Sequence, residues 1–372
     1  MGKTKQSLII VVITIISLIP LIIYLLGKDR YGYTLIEMNK PHIIKPIFHL
    51  QQSEECKTLQ NIASDYIIKC EGYKNELRPG EYNIEIDTTQ SQPKLSVNNS
   101  RILKYTSSDM NALNKYLHQL FPVTFPEAMI HSREVIDWCF TLSSEEEINQ
   151  TNVMKIMKRL QEYFPLHYRF TTNPHLKHLT ELNYADMNCL YRYHLHLSLE
   201  EQNIRIENNN GIASLENYEK SIVGYFRYLL EIPTINDEHI SISYKNSNGF
   251  LEFELDNVMR QFAYQFLQSA KQSITIFDVI SKEEQFVPIP LSLANQASNL
   301  PQKINDAINS DDLLETFVTA QDLMAEAHSV AYSPDFFTIL YFPIEHKIAC
   351  LLPLFGPVLL LLFKTLFQTY RK

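Results

Sequence analysis

Residues 133–164 read REVIDWCFTLSSEEEINQTNVMKIMKRLQEYF, and two hydrophobic periods meet inside them. As far as Leu142 the apolar residues alternate, with Ile136, Trp138, Phe140 and Leu142 on one side, the pattern of a strand with one buried face. Beyond Ser144 the spacing lengthens. Val153, Met157, Leu160 and Phe164 recur every three or four positions, which predicts an amphipathic helix. Ser144 and Glu147 stand three apart ahead of that stripe and predict a capping box. A strand running straight into a helix predicts a mixed α/β fold, with a central β-sheet flanked by helices.

The same two periods continue downstream. CLYRYHLHLSLE, residues 189–200, alternates as a strand: Tyr191, Tyr193, Leu195, Leu197 and Leu199 form an apolar face, and Arg192, His194, His196, Ser198 and Glu200 form a polar face left to solvent or a loop. EHISISYKNSNGFLEFEL, residues 238–255, predicts a hairpin around Asn248-Gly249, a pair suited to a type I′ turn. Asp256 is then expected to cap a helix carrying Val258, Phe262 and Phe266, and SITIFDV, residues 273–279, is expected to return as a strand. Near the C-terminus Leu313, Phe317, Ala320, Met324, Ala327 and Ala331 lie on one helical stripe. The polar stretch from Asp87 to Ser100 reads as a loop. With no internal repeat or low-complexity linker, one domain is expected.

Both ends of the chain are apolar. Leu8 to Leu26 is 19 residues without a charge, and Ile348 to Phe363 is 16 more. The second run would make a helix of about 24 Å, somewhat short of a ~30 Å hydrocarbon core. Lys347 and Lys364 are placed to snorkel, and Leu366 and Phe367 extend the apolar surface. Pro353 and Pro357 interrupt this helix, with Gly356 between them. They are tolerated in lipid where a neighbouring helix re-satisfies the freed carbonyls, so the three residues are expected to pack against a partner. No small-x-small cleavage site follows the first run, and the second ends on a polar tail, which argues against a signal peptide and a glycolipid-anchor signal. Lys3, Lys5, Lys364, Arg371 and Lys372 flank the outer ends, and by the positive-inside tendency both termini are cytosolic. The expected order is a cytosolic N-terminus (1–7), a transmembrane helix (8–26), a lumenal domain (27–347), a second transmembrane helix (348–367) and a cytosolic C-terminus (368–372).

On the lumenal side, Asn98-Asn99-Ser100 and Asn149-Gln150-Thr151 make Asn98 and Asn149 glycosylation acceptors. Cys56, Cys70, Cys139 and Cys189 would share that oxidising compartment. Their pairing is open, and Cys56 with Cys70 is the closest pair, bracketing a segment short enough to cross-link locally.

The inventory is poor in catalytic chemistry. A net charge of −9 without a basic run argues against nucleic acid. Only nine glycines occur, no two closer than five positions, which excludes a G-x-G-x-x-G dinucleotide loop and a G-x-S-x-G nucleophile elbow. GKDRYGYT, residues 27–34, has Tyr33 where a phosphate loop needs lysine, and reads as a connector. Neither H-E-x-x-H nor C-x-x-C is present. The best metal candidate joins His194 and His196 to His175 and His178, and the polar face of a strand explains the first two as well. Cys139 lacks the partners of a nucleophile. No catalytic residue, metal or cofactor is predicted.

The closing stretch resembles the PIG-S family, subunits of GPI transamidase, the complex that attaches glycosylphosphatidylinositol anchors. The residues that carry the resemblance are Leu340-Tyr341-Phe342-Pro343, Lys347, Ala349, Pro353-Leu354-Phe355 and Pro357, preceded by FVTAQDLMAEAHSVAYSPDFF with Ser333-Pro334. SIVGYFRYLLEIP (221–233), the strand and helix of 137–164, and IPLIIYLLGKDRYGY (19–33) are similar to family segments further back. A Trp-Gly-Gly motif of many relatives is missing, the only tryptophan being Trp138. The resemblance implies an endoplasmic-reticulum glycoprotein with two anchors and a lumenal α/β domain. It implies membrane partners within the transamidase, and a catalytic cysteine protease in a different subunit. The rival readings are a lumenal metal-dependent hydrolase using His194 and His196, and a membrane-tethered adaptor or receptor of another pathway.

Overall fold

The computed structural model describes residues 30–89, 92–123, 138–164, 166–172, 191–207, 210–245, 247–283 and 289–334, with Phe336, Ala349, Pro353, Leu360, Lys364 and Phe367. These residues form a mixed α/β structure with two sheets where one was expected. They divide into two compact units, one of Lys40–Gln268 with Asp306–Asp322, the other of the remaining segments.

The first unit holds both sheets. The six-stranded sheet takes the order β11-β4-β5-β3-β1-β2, from β1 (Ile47–His49), β2 (Ile67–Lys69), β3 (Glu81–Asp87), β4 (Lys94–Val97), β5 (Ile102–Thr106) and β11 (Ile240–Ile242). Only β4 and β5 pair antiparallel. β4 lies inside the stretch expected to be a loop, because Leu95 and Val97 alternate into the core. Helices α1 (Glu54–Ile62) and α2 (Met110–Leu120) supply Leu59, Leu113 and Leu117 to that core beside Phe48, Tyr82 and Phe121.

The five-stranded sheet takes the order β7-β6-β8-β10-β9, from β6 (Trp138–Ser144), β7 (Leu166–Thr172), β8 (Tyr191–Ser198), β9 (Arg205–Glu207) and β10 (Asn210–Ser214). All neighbours are parallel except β9 and β10. Helix α3 (Gln150–Gln161) buries Val153, Met157 and Leu160 as its stripe predicts. Its cap is Asn149, whose side chain accepts from Thr151 N, so the helix begins beyond the expected Ser144–Glu147 box. Helix α4 (Tyr218–Leu229) lays Phe226 on Phe140, ring centres 4.7 Å apart. Gly211 on β10 permits this packing, since a Cβ there would come within 2.9 Å of the Tyr225 ring.

Two further expectations are corrected. The Asn248-Gly249 turn forms with φ of 50° and 89°, but no hairpin follows. β11 before it pairs parallel with β4, and the chain after it enters helix α5 (Glu252–Glu283). SITIFDV is helical within α5. Ala270, Ile274, Phe277 and Ser281 are buried while Ile276 and Val279 are exposed, a helical and not an alternating pattern.

The second unit contains Ser269–Glu283 of α5, residues 291–305 of helix α6 (Leu291–Ile308) and the later part of helix α7 (Leu313–Ala331). Every residue of the predicted α7 stripe is buried. The N-terminal connector lies on these helices: Tyr33 donates to Asp278 Oδ1 (3.1 Å), and Lys271 Nζ donates to Met38 O (3.0 Å). Among the described residues no helix is long and apolar enough to cross a membrane. The expected span 8–26 lies outside them, as do Gly356 and Pro357. Of 348–367, the described Ala349, Pro353, Leu360, Lys364 and Phe367 are helical and exposed.

Candidate functional site

The histidine pair sits in the middle of the five-stranded sheet. The parallel register of β6 and β8 sets Ser143 opposite His196 and Thr141 opposite His194. Ser143 Oγ lies 2.7 Å from His194 Nε2 and 2.9 Å from His196 Nδ1. His196 Nε2 is 3.8 Å from Glu145 Oε1, and Glu145 is held by Ser198 Oγ and Leu199 N, both at 2.8 Å. The face expected to meet solvent is buried: His194 is 0% and His196 1% exposed. A strand paired on both edges in a parallel sheet is covered on both faces, so its polar residues bond one another.

This order of acid, imidazole and hydroxyl resembles a nucleophile triad, but Ser143 is itself 0% exposed. A serine hydroxyl has one proton, so it donates to one ring and accepts from the other. Burial, and then the neighbouring His196, pull the His194 pKa down to about 4. Its Nδ1 has no hydrogen-bond partner, so a proton added there would be buried without an acceptor. The arrangement holds β6 to β8. Among the described residues no group of three or more His, Cys, Asp or Glu is placed to hold a metal, and His175 and His178 lie outside the described residues.

A second polar cluster escaped the sequence reading. Asp256 does not cap α5; it lies inside the helix and is 0% exposed. Glu254 serves the helix start instead, accepting from Leu251 N at 3.0 Å. Arg101 grips Asp256 with Nε to Oδ2 at 2.9 Å and Nη2 to Oδ1 at 2.8 Å. Gly80 N and Tyr82 Oη also donate to Oδ2. Burial, then the Asp256 charge, push the Tyr82 hydroxyl well above its ordinary pKa. Arg101 further meets Glu252, which Arg159 and Tyr163 reach from the end of α3. Three acidic positions opening α5 were the only sequence signal, and nothing marked Arg101 as their partner.

Described residues of the first unit line a larger and a smaller concavity. One, of about 500 Å³, runs between α3 and α4 beside the Asn248-Gly249 turn and is lined by Lys155, Lys220, Glu219, Gly224 and Tyr244, among others. The other, of about 240 Å³, lies past the end of α4 and is walled by Leu120, Ile232, Pro233, Ile235, Phe253 and Val258, with Glu231, Glu254, Asn257 and Gln261 as polar members.

The family model described as phosphatidylinositol-glycan biosynthesis class S protein, PIG-S, matches residues 193–372. Just under half of the chain is therefore similar to the PIG-S family. A bovine (Bos taurus) relative, described as GPI-anchor transamidase component PIGS, is 26% identical over 130 residues, covering 33% of this chain and 23% of that protein. The chain thus spans about a quarter of the length of the curated relative it matches. The matched region begins within β8 and takes in His194, His196, α4 to α7, the walls of the smaller cavity from Glu231 onward, and the terminal segment with Pro353, Gly356 and Pro357.

The remaining sequence-predicted residues lie ahead of the matched region. Asn98 and Asn149 are both exposed. Ser100 Oγ donates to Asn98 Oδ1, and Asn149 uses its Oδ1 for the α3 cap, which leaves the amide nitrogen of each directed away from those bonds. Cys56 and Cys70 are joined by a disulfide with Cα atoms 5.9 Å apart. The segment between them holds the rest of α1 and all of β2. Cys139 is also disulfide-bonded, so its sulfur is no thiol.

Proposed function

We propose that this chain is a non-catalytic subunit of GPI transamidase, supporting assembly of the complex that attaches GPI anchors in the endoplasmic reticulum. The observation that carries the reading is the PIG-S match running unbroken from β8 to the C-terminus. The closed His194–Ser143–His196 cluster supports it, because a hydroxyl and two imidazoles sealed in a sheet have no path to a substrate. The catalytic cysteine protease is then a different subunit. Residues 8–26 and 348–367 cross the membrane, both termini are cytosolic, and the α/β part stands in the lumen with Asn98 and Asn149 available for glycans. Pro353, Gly356 and Pro357 shape a helix face for membrane partners.

The test is purification of the tagged full-length chain in mild detergent, with identification of what remains bound. A cysteine protease subunit and membrane subunits of a transamidase are expected. Recovery of the chain alone, under conditions that keep other membrane complexes intact, would overturn the reading.

A further inference from the structure

Helix α4 carries a glycine that its own structure does not need. Gly224 stands in the middle of the helix, between Tyr218 and Leu229, where glycine weakens a helix relative to alanine. Two physical reasons usually place a glycine: a left-handed backbone, or a neighbour too close for a Cβ. Gly249 and Gly211, which pack on α4, have such reasons. Gly249 has a φ of 89°, and a Cβ on it would come within 2.5 Å of Val223; one on Gly211 would meet Tyr225. Gly224 has a helical backbone, and a Cβ on it would have nothing within 4 Å. What lies over it is the 500 Å³ cavity between α3 and α4.

The walls of that cavity favour an anion. Lys155 lines it from α3 and Lys220 from α4. Both are exposed, and neither has an ion pair or hydrogen bond among the described residues. Glu219, the single carboxylate among the described lining residues, accepts from Asn152 Nδ2 at 2.7 Å. Two turns along α4 from Lys220, Arg227 donates to both oxygens of Glu254 at 2.8 and 3.0 Å, so its charge is matched. Its guanidinium lies over the Tyr244 ring, 5.3 Å from the centre, and Tyr244 Oη also donates to Glu254. This end of the lining is therefore fixed in place. Ile156 and Val223 add apolar surface, and the volume falls within the ~300–1,000 Å³ of sites that take a small molecule.

We propose that this cavity binds a phosphate ester of small-molecule size, the phosphate between Lys155 and Lys220 and the organic body over Gly224, against Val223, Ile156 and the Tyr244 ring. A phosphate monoester carries close to two negative charges at neutral pH and three acceptor oxygens pointing apart, so it takes ammonium groups from two walls at once. A carboxylate has one charge and two oxygens in a plane, and matches one lysine. The bare helix surface at Gly224 leaves the depth that the organic body fills. The inference stands apart from the assembly role proposed above, since it rests on the first unit alone.

The full-length chain in detergent is titrated by calorimetry with phenyl phosphate and, in parallel, with inorganic phosphate and with benzoate. Saturable one-site binding of phenyl phosphate is expected, with inorganic phosphate and benzoate each weaker by about ten-fold or more, through loss of the body contact or of a charge-assisted bond. Lys155→Gln and Lys220→Gln are each expected to weaken phenyl phosphate by a similar factor. Lys158→Gln, on the same helix as Lys155 but outside the lining, should leave it unchanged. Gly224→Leu fills the cavity with a good helix former, so the free protein should melt no lower than the wild type while binding is lost. The lysine substitutions lie on the surface and test the site without touching the helix core. No saturable binding, equal binding of benzoate or of inorganic phosphate, a Lys158→Gln loss equal to that of Lys155→Gln, or binding that survives Gly224→Leu would each overturn the proposal.

Discussion

Ser143 Oγ and His194 Nε2 lie 2.7 Å apart where both side chains are wholly buried. Replacing His194 with alanine therefore empties a packed volume and removes a partner from the hydroxyl. A loss of about 2–4 kcal/mol in folding stability is expected. Trp138, the only tryptophan, sits on the same strand as Ser143 and reports the unfolding by fluorescence in urea. A change within about 0.5 kcal/mol, as for a solvated sheet face, would show that the pair is not buried in solution.

The same burial has a pH signature. His194 has a folded pKa near 4, depressed from its ordinary 6.5, so its neutral form is favoured in the folded state. Its contribution is fully present above pH 6.5. As the pH falls from 6.5 toward 4 the unfolded chain takes up a proton that the folded chain refuses, and stability declines. The total for a shift of this size is about 3 kcal/mol. Urea midpoints of the wild type and of His194→Gln, compared at pH 7.5 and 4.5, should converge at the lower pH. Parallel declines would assign the pH dependence elsewhere.

Arg101→Met leaves the buried Asp256 carboxylate without the cation that grips it at both oxygens. Removal of one partner from a buried pair costs about 3–5 kcal/mol. Because Arg101 also reaches Glu252 and Tyr163, the loss should loosen the junction of β5, α3 and α5. Hydrogen exchange of the first turn of α5 is expected to accelerate with the drop in stability; unchanged exchange there would confine the network to local importance.

Asn149 has two duties that substitution can separate. Asn149→Asp keeps an oxygen acceptor for Thr151 N but cannot be glycosylated, so folding should hold while the mass shift on endoglycosidase treatment shrinks. Asn149→Ala loses both, with about 1 kcal/mol of stability going with the cap. Wild-type protein that is digested from the cytosolic side of sealed microsomes would overturn the lumenal placement behind this prediction.

Leu360 and Phe367 are helical and 72% and 73% exposed. In the membrane-spanning arrangement proposed above, a plain leucine run over residues 348–363 keeps hydrophobicity and flanking charge, so insertion should persist. Pro353, Gly356 and Pro357 would be gone, and recovery of partner subunits should fall. Full recovery would reduce this helix to a tether.

Sequence alone determined what depends on short-range periodicity. The α7 stripe from Leu313 to Ala331 and the strand-to-helix change across Leu142 and Val153 were legible because neighbours three, four or two positions apart share a face whatever lies beyond them. Local signals misled where a longer context won. SITIFDV is rich in β-branched and aromatic residues, yet the helix that contains it runs from Glu252 to Glu283 and buries every third or fourth side chain. Alternation in β8 separated the histidines from the leucines, but not whether their face would be covered. That depended on β6 and β10 flanking the strand on both sides. The grip of Arg101 on Asp256 spans 155 positions, and the charge of neither residue names the other. Only the tertiary structure could decide these, because burial and pairing are properties of what the chain brings back from a distance, and no window along the sequence contains it.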